Sequence, residues 1–219
     1  MGLGGILQEL KTEGVLALYH DYRSGRLVDY SGNGRNGIIT NGNFNKTGSL
    51  LNPLTGVITI AYNAAFVSTA ISMVIGLNLP FLIAGDRLAC RRDAGGSTFD
   101  WHINAPSITI YQNIGNRSIN VPTTPIYSLG VSMTDGVAAK GYTNGVYQAD
   151  YTGLTDLFPT LNNIVVGNLV GGSCLTNKTI KYFVYITRSL TATEHARVYG
   201  QLENMKWNTK GLTPGPMMP

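Results

Sequence analysis

Apolar and polar positions alternate along most of this chain, and the alternation breaks at Gly, Asn, Asp and Pro. Ile108 and Ile110 point one way and Thr109 and Tyr111 the other, the period of two that predicts a half-buried strand over 107–112. Further strands are expected at 15–22, 57–61, 127–133, 138–142 and 163–167. Residues 70–77 are nearly all apolar, as a central strand covered on both faces would be. Thr134-Asp-Gly136 and Asn144-Gly145 predict two tight turns, because Asn and Gly accept the positive φ that hairpins require. Residues 79–100 mix Pro, Asp, Arg and Gly and give no clear element.

The pattern changes near the end. Ile180-Lys-Tyr-Phe-Val-Tyr-Ile-Thr187 reads as a strand that runs into Arg188-Ser-Leu-Thr-Ala-Thr-Glu-His-Ala-Arg-Val-Tyr199. Thr191 and Glu194 have the spacing of a capping box, so a helix starts there, with His195 expected at the surface. Many strands closed by one short helix predict an all-β, two-sheet antiparallel sandwich rather than an α/β enzyme. The domain reading is an N-terminal arm or short helix over 1–14, one sandwich over 15–208, and an extended tail over 209–219.

Composition fits that reading. Hydrophobic residues make up 43%, enough for a full core, whereas charged residues are only 13% and Gly numbers 27, as in a turn-rich β-protein. The net charge is +4, but the basic residues are scattered apart from Arg87, Arg91 and Arg92, so nucleic acid is not an expected partner. Cys90 and Cys174 have no metal-binding spacing and read as free thiols. Met1-Gly-Leu-Gly-Gly-Ile-Leu-Gln lacks a basic segment and a long apolar run, so no signal peptide is expected, and Ile6 stands where myristoylation wants Ser or Thr. The apolar stretch 71–79 is too short to cross a bilayer. The sequons at Asn45, Asn116 and Asn177 matter only on a eukaryotic secretory route.

Four segments, in order, resemble the laminin-G-like branch of the concanavalin A-like jelly-roll superfamily. They are Ala17-Leu-Tyr-His-Asp-Tyr22, the turn Asp29-Tyr-Ser-Gly-Asn-Gly-Arg-Asn-Gly37, the hairpin from Tyr127 to Gly145, and the strand and helix from Ile180 to Tyr199. The resemblance implies a jelly roll. Two features depart from it: Leu50-Leu-Asn-Pro-Leu-Thr-Gly56 replaces an acidic, aromatic-flanked segment, and 71–77 lacks a common Trp.

Chemistry is sparse. Gly32, Gly34 and Gly37 match a dinucleotide fingerprint, but no helix start follows, so the glycines build a turn. Asp29, Ser31 and Asn33 imitate half of a calcium loop whose twelfth position is Thr40 instead of Glu. An Asx turn is preferred there, with calcium as the other reading. No residue is assigned as catalytic: the glycosidase motif Glu-x-Asp-x-x-Glu is absent, and Glu occurs only at 9, 13, 194 and 203. Trp101, with His102 and Tyr111, is the candidate carbohydrate-binding set, against the reading that Trp101 is core. The expected function is a non-catalytic recognition or assembly module on the surface of a virus or phage particle. Its termini would dock on other virion proteins or on copies of the chain, with glycan as a further partner and no membrane insertion. A free, extracellular carbohydrate-binding protein is the alternative, and a glycoside hydrolase the third reading.

Overall fold

A computed structural model describes residues 3–45, 48–51, 56–79, 87–93, 96–104, 107–112, 115–120, 125–151, 163–167 and 179–205. The strands are β1 (Leu16–Asp21), β2 (Gly37–Thr40), β3 (Gly42–Asn45), β4 (Gly48–Leu51), β5 (Val57–Ile60), β6 (Ala70–Leu79), β7 (Arg87–Asp93) and β8 (Gly96–Asn104). They continue with β9 (Ser107–Gln112), β10 (Gly115–Asn120), β11 (Ile126–Thr134), β12 (Val137–Thr143), β13 (Val146–Tyr151), β14 (Ile164–Val166) and β15 (Thr179–Ile186). Helices α1 (Gly5–Thr12) and α2 (Ala192–Asn204) flank them. Among the described residues the strands form two antiparallel sheets. One has eight strands in the order β13-β12-β11-β6-β15-β4-β3, with β1 sharing the β4 edge of β15; the other has seven, in the order β10-β9-β8-β7-β14-β5-β2.

The molecule has two apolar layers. Between the sheets, Ile71, Met73, Ile75 and Leu77 of β6 and Leu129, Val131 and Met133 of β11 share a core with Ile58, Ile60, Trp101, Ile103, Ile110, Ile164 and Val166. On the outer face of the eight-stranded sheet, Val74, Tyr182, Val184 and Ile186 meet Ile6, Leu7 and Leu10 of α1 and Val198 and Leu202 of α2. Each such large apolar side chain contributes roughly 1.5–3 kcal/mol on burial. Covered on both faces, β15 is buried at every position. Small residues let the layers close: a Cβ on Gly76 would lie 2.3 Å from the Tyr182 ring, and one on Gly130 2.9 Å from the His195 ring.

The N-terminal segment, read as an arm or short helix, is a helix docked on its own sandwich. Its N-cap, Gly4, has no capping side chain. Gln201 of α2 serves instead: its Oε1 accepts from the Leu7 N–H (3.2 Å) and its Nε2 donates to the Gly4 carbonyl (2.6 Å). Arg197 pairs with Glu9 and Arg188 with Glu13 along the same seam. The predicted capping box is formed, the Glu194 N–H donating to Thr191 Oγ1 and the Thr191 N–H to Glu194 Oε2. Asn144 (φ 50°) and Gly145 (φ 77°) make the predicted second turn. The unassigned stretch 79–100 contains β7 and most of β8, while β2, β3, β4 and β10 appear where Gly, Asn and Ser weakened the strand signal. The expected tail 209–219, Cys174 and Asn177 lie outside the described residues.

Candidate recognition face

The loop after β1 is a dense polar structure. Asp29 Oδ1 accepts from the Tyr19 N–H (3.1 Å), the Ser31 N–H (2.9 Å) and the Ser31 hydroxyl (2.6 Å), and Oδ2 accepts from the Arg35 N–H (3.0 Å). Asn33 Nδ2 donates to the carbonyls of Leu16 (2.9 Å) and Ala17 (3.1 Å). This is the Asx-turn arrangement. The residues do not fit calcium: both oxygens of the single carboxylate are taken by N–H and O–H donors, and Asn33 turns its donor end, not its oxygen, toward the carbonyls. Among the described residues no three His, Cys, Asp or Glu side chains are gathered for a metal.

The seven-stranded sheet positions the carbohydrate candidates. One rung crosses all seven strands through Ile39, Ile58, Val166, Ala89, Trp101, Ile110 and Arg117. It faces the core, and Trp101 is only 1% exposed there. The indole is therefore a packing residue and not a stacking platform, because its alternation in β8 matches that of Ile103, also buried. Its N–H makes no bond of normal geometry, yet it lies close enough to the Tyr151 hydroxyl to favour that group's ionised form against a larger opposing effect of burial.

The alternate rungs face outward. One runs through Ile38, Thr59, Val165, Cys90, Asp100, Tyr111 and Asn116, and another holds His102, Thr109 and Ser118. Tyr111 and His102 thus share a face that Trp101 does not, although their side chains lie outside the described residues. Exposure falls from the margins inward. Ile38 is 69% exposed and Ser118 is exposed, whereas Val165 (6%) and Thr109 (1%) are enclosed. Val165 and Thr109 are thus covered, whereas the edge positions Ile38 and Ser118 are open. Thr109 Oγ1 and Ser118 Oγ bond each other at 2.7 Å.

The opposite side of the molecule carries the glutamates. Every glutamate of the chain is in an ion pair there: Glu9 with Arg197, Glu13 and Glu194 with Arg188, and Glu203 with Lys181. The Arg188 contact holds the Glu194 carboxyl down at about 2. Lys181 Nζ donates to both Glu203 oxygens (2.5 and 2.6 Å), and burial lowers its pKa against the pull of that partner. Asp21 is buried against Arg23 at 2.5 Å, and Asp150 Oδ1 accepts from the Tyr147 hydroxyl. Each of these carboxylates, like that of Asp29, is engaged by an ion pair or a hydrogen bond, while the side chains of Asp93, Asp100 and Asp156 lie outside the described residues.

His195 corrects an expectation. It is 2% exposed, not at the surface. Its ring stacks on Tyr142 with centroids 3.7 Å apart, and Nε2 meets Ser132 Oγ at 2.8 Å. Ser132 Oγ in turn meets Ser72 Oγ at 2.7 Å, and both hydroxyls accept from the Leu190 N–H (3.1 and 2.8 Å). Burial holds the imidazole down at about 3. A serine and a histidine in contact suggest a nucleophile, but both are sealed beneath α2, so the pair works as a polar seam between helix and sheet.

No family profile matches the chain, and no curated protein matches it in sequence. Its likenesses are structural. Trypanosoma rangeli sialidase is similar over 87% of this chain and 33% of its own, at 15% identity and a TM-score of 0.61. A botulinum neurotoxin type C structure, described as interacting with two ganglioside molecules, is similar over 90% of this chain and 53% of its own, at 13% identity and a TM-score of 0.68. Domain 4 of AbnA, an extracellular GH43 arabinanase from Geobacillus stearothermophilus in complex with arabinotriose, matches over 83% of this chain and 97% of its own, at 16% identity and a TM-score of 0.61. The chain therefore spans about a third of the sialidase and about half of the neurotoxin chain. At such identities the likeness concerns the fold alone, a two-sheet β-sandwich.

Proposed function

We propose that this chain is a non-catalytic glycan-recognition module, of the laminin-G-like branch, that receives its ligand on the outward face of the seven-stranded sheet. One observation carries the reading. The helices seal the outer face of the eight-stranded sheet and engage every glutamate, which leaves the outward rungs of the other sheet as the sheet face the helices do not cover. The hydroxyl side chains of Thr59 and Ser118 suit a neutral, hydroxyl-rich ligand. Similar sandwiches in a ganglioside-associated toxin structure and an arabinotriose complex support the choice of glycan over protein. A place on a virus or phage particle is not part of this reading.

The test is a broad glycan array run with the native protein and with Thr59→Arg and Ser118→Arg, which place a long charged side chain on that face. Both variants are expected to keep their thermal midpoint and to lose retained glycans by tenfold or more, about 1.4 kcal/mol. Reducing-sugar release from the retained glycans is expected to stay at background. Retention unchanged in both variants, no glycan retained by the native protein, or sustained sugar release would overturn the proposal.

A further inference from the structure

We infer that the Arg35 guanidinium is the built-in cation of the 29–37 loop, standing in for the metal ion that the loop's Asp-x-Ser-x-Asn-Gly order invites. The carbonyl of Ala17 is the centre of the arrangement. It accepts from Arg35 Nη1, from Asn33 Nδ2 (3.1 Å) and from the Ser31 hydroxyl (3.4 Å), so three donors converge where a cation would otherwise draw oxygens together. The guanidinium then lies over the Phe66 ring, with Cζ 5.1 Å from the centroid, a cation–π distance. Its Nε is enclosed without a hydrogen-bond partner, as expected for a planar cation held by a ring face on that side.

The backbone of the same residue completes the lock. The Arg35 N–H donates to Asp29 Oδ2 at 3.0 Å, and the Arg35 carbonyl meets His20 Nε2 at 2.8 Å. The Asp29 charge also acts favourably on the guanidinium, opposing the larger effect of its burial. One residue thus supplies positive charge to the loop, ties it to β1 through Ala17 and His20, and stacks on Phe66, whose ring meets the Tyr185 ring of the core at 5.2 Å. A calcium ion would need Asp29, Ser31 and Asn33 to turn their oxygens to a common point, and each is already committed elsewhere. The loop is therefore fixed without metal, and this holds whether or not the seven-stranded sheet binds glycan.

Thermal unfolding in calcium chloride and in EDTA tests the assignment directly. The native protein is expected to unfold at the same temperature in both, within about 1 °C, since a ligand that binds only the folded state would raise the midpoint. Arg35→Gln removes the charge and is expected to lower the midpoint by roughly 5 °C and to speed amide exchange at Ser31 and Arg35. Arg35→Lys restores a charge without the planar stack, so its midpoint and exchange should fall between the two. If Arg35→Gln does not fold, the lysine variant alone carries the comparison. A calcium-dependent rise in the native midpoint, an unchanged midpoint and unchanged exchange in Arg35→Gln, or a lysine variant no better than glutamine would overturn the inference.

Discussion

Acid should loosen the seam beneath α2 through one histidine. His195 is enclosed between the Tyr142 ring and Ser132, and burial keeps its folded pKa near 3 against about 6.5 for an unperturbed imidazole. The groups facing it offer little to a proton: two serine hydroxyls, a tyrosine ring, and the neighbouring Glu194, whose carboxylate is already held by Arg188. Because the folded pKa is depressed, the unfolded chain takes up the proton first as pH falls below about 6.5. The stability contributed by the neutral ring is complete above that pH and is lost progressively toward pH 3. One proton over two pH units is worth roughly 2.7 kcal/mol, so that much should disappear between pH 6.5 and 4.5. Urea unfolding of the native protein and of His195→Gln at both pH values measures it. The variant should be weaker at neutral pH, yet its own loss on acidification should be smaller by roughly 2–3 kcal/mol. Identical acid losses in the two proteins, or an NMR titration placing His195 near pH 6.5, would refute the reasoning.

Two packing and capping predictions accompany it. Gly76→Ala sets a methyl group 2.3 Å from the Tyr182 ring, and overpacking at that buried crossing should cost about 2–3 kcal/mol in a urea titration. Thr191→Ala removes the cap of α2 and should cost about 1 kcal/mol, a fall of roughly 2–4 °C in the thermal midpoint of a chain this size.

Much of the architecture was legible because alternation is local. Ser107–Gln112 is a strand whose apolar side faces the core, as its period predicts, and the Thr191–Glu194 capping box starts α2 where the spacing places it. The loop at 29–37 was also readable as an Asx turn, since every residue that bonds the Asp29 carboxylate by its side chain or lies next in the loop is close in sequence. The burial of His195 was not. It lies on the face of α2 that also holds Val198 and Leu202, a helical spacing visible in the sequence, but the polar partners that accept it are Ser132 and Ser72, on distant strands. The strands β3, β4 and β10 depend on Gly, Asn and Ser stretches with weak intrinsic preference, and only pairing with a neighbour defines them. Trp101 shows the limit for the site: alternation allowed both faces, and only the register with Ala89 and Ile110 decides that it points inward. The role of Arg35 needed the spatial approach of Ala17 and Phe66, which no spacing encodes.

The central claim is that ligand meets the outward rungs of the seven-stranded sheet. Chemical-shift mapping with an oligosaccharide retained on the array tests it most directly. The account predicts that the amides shifted will cluster on β5, β9 and β10, around Thr59, Thr109 and Ser118. Shifts gathered instead on α2 and the β12–β13 hairpin, with that sheet unmoved, would contradict it.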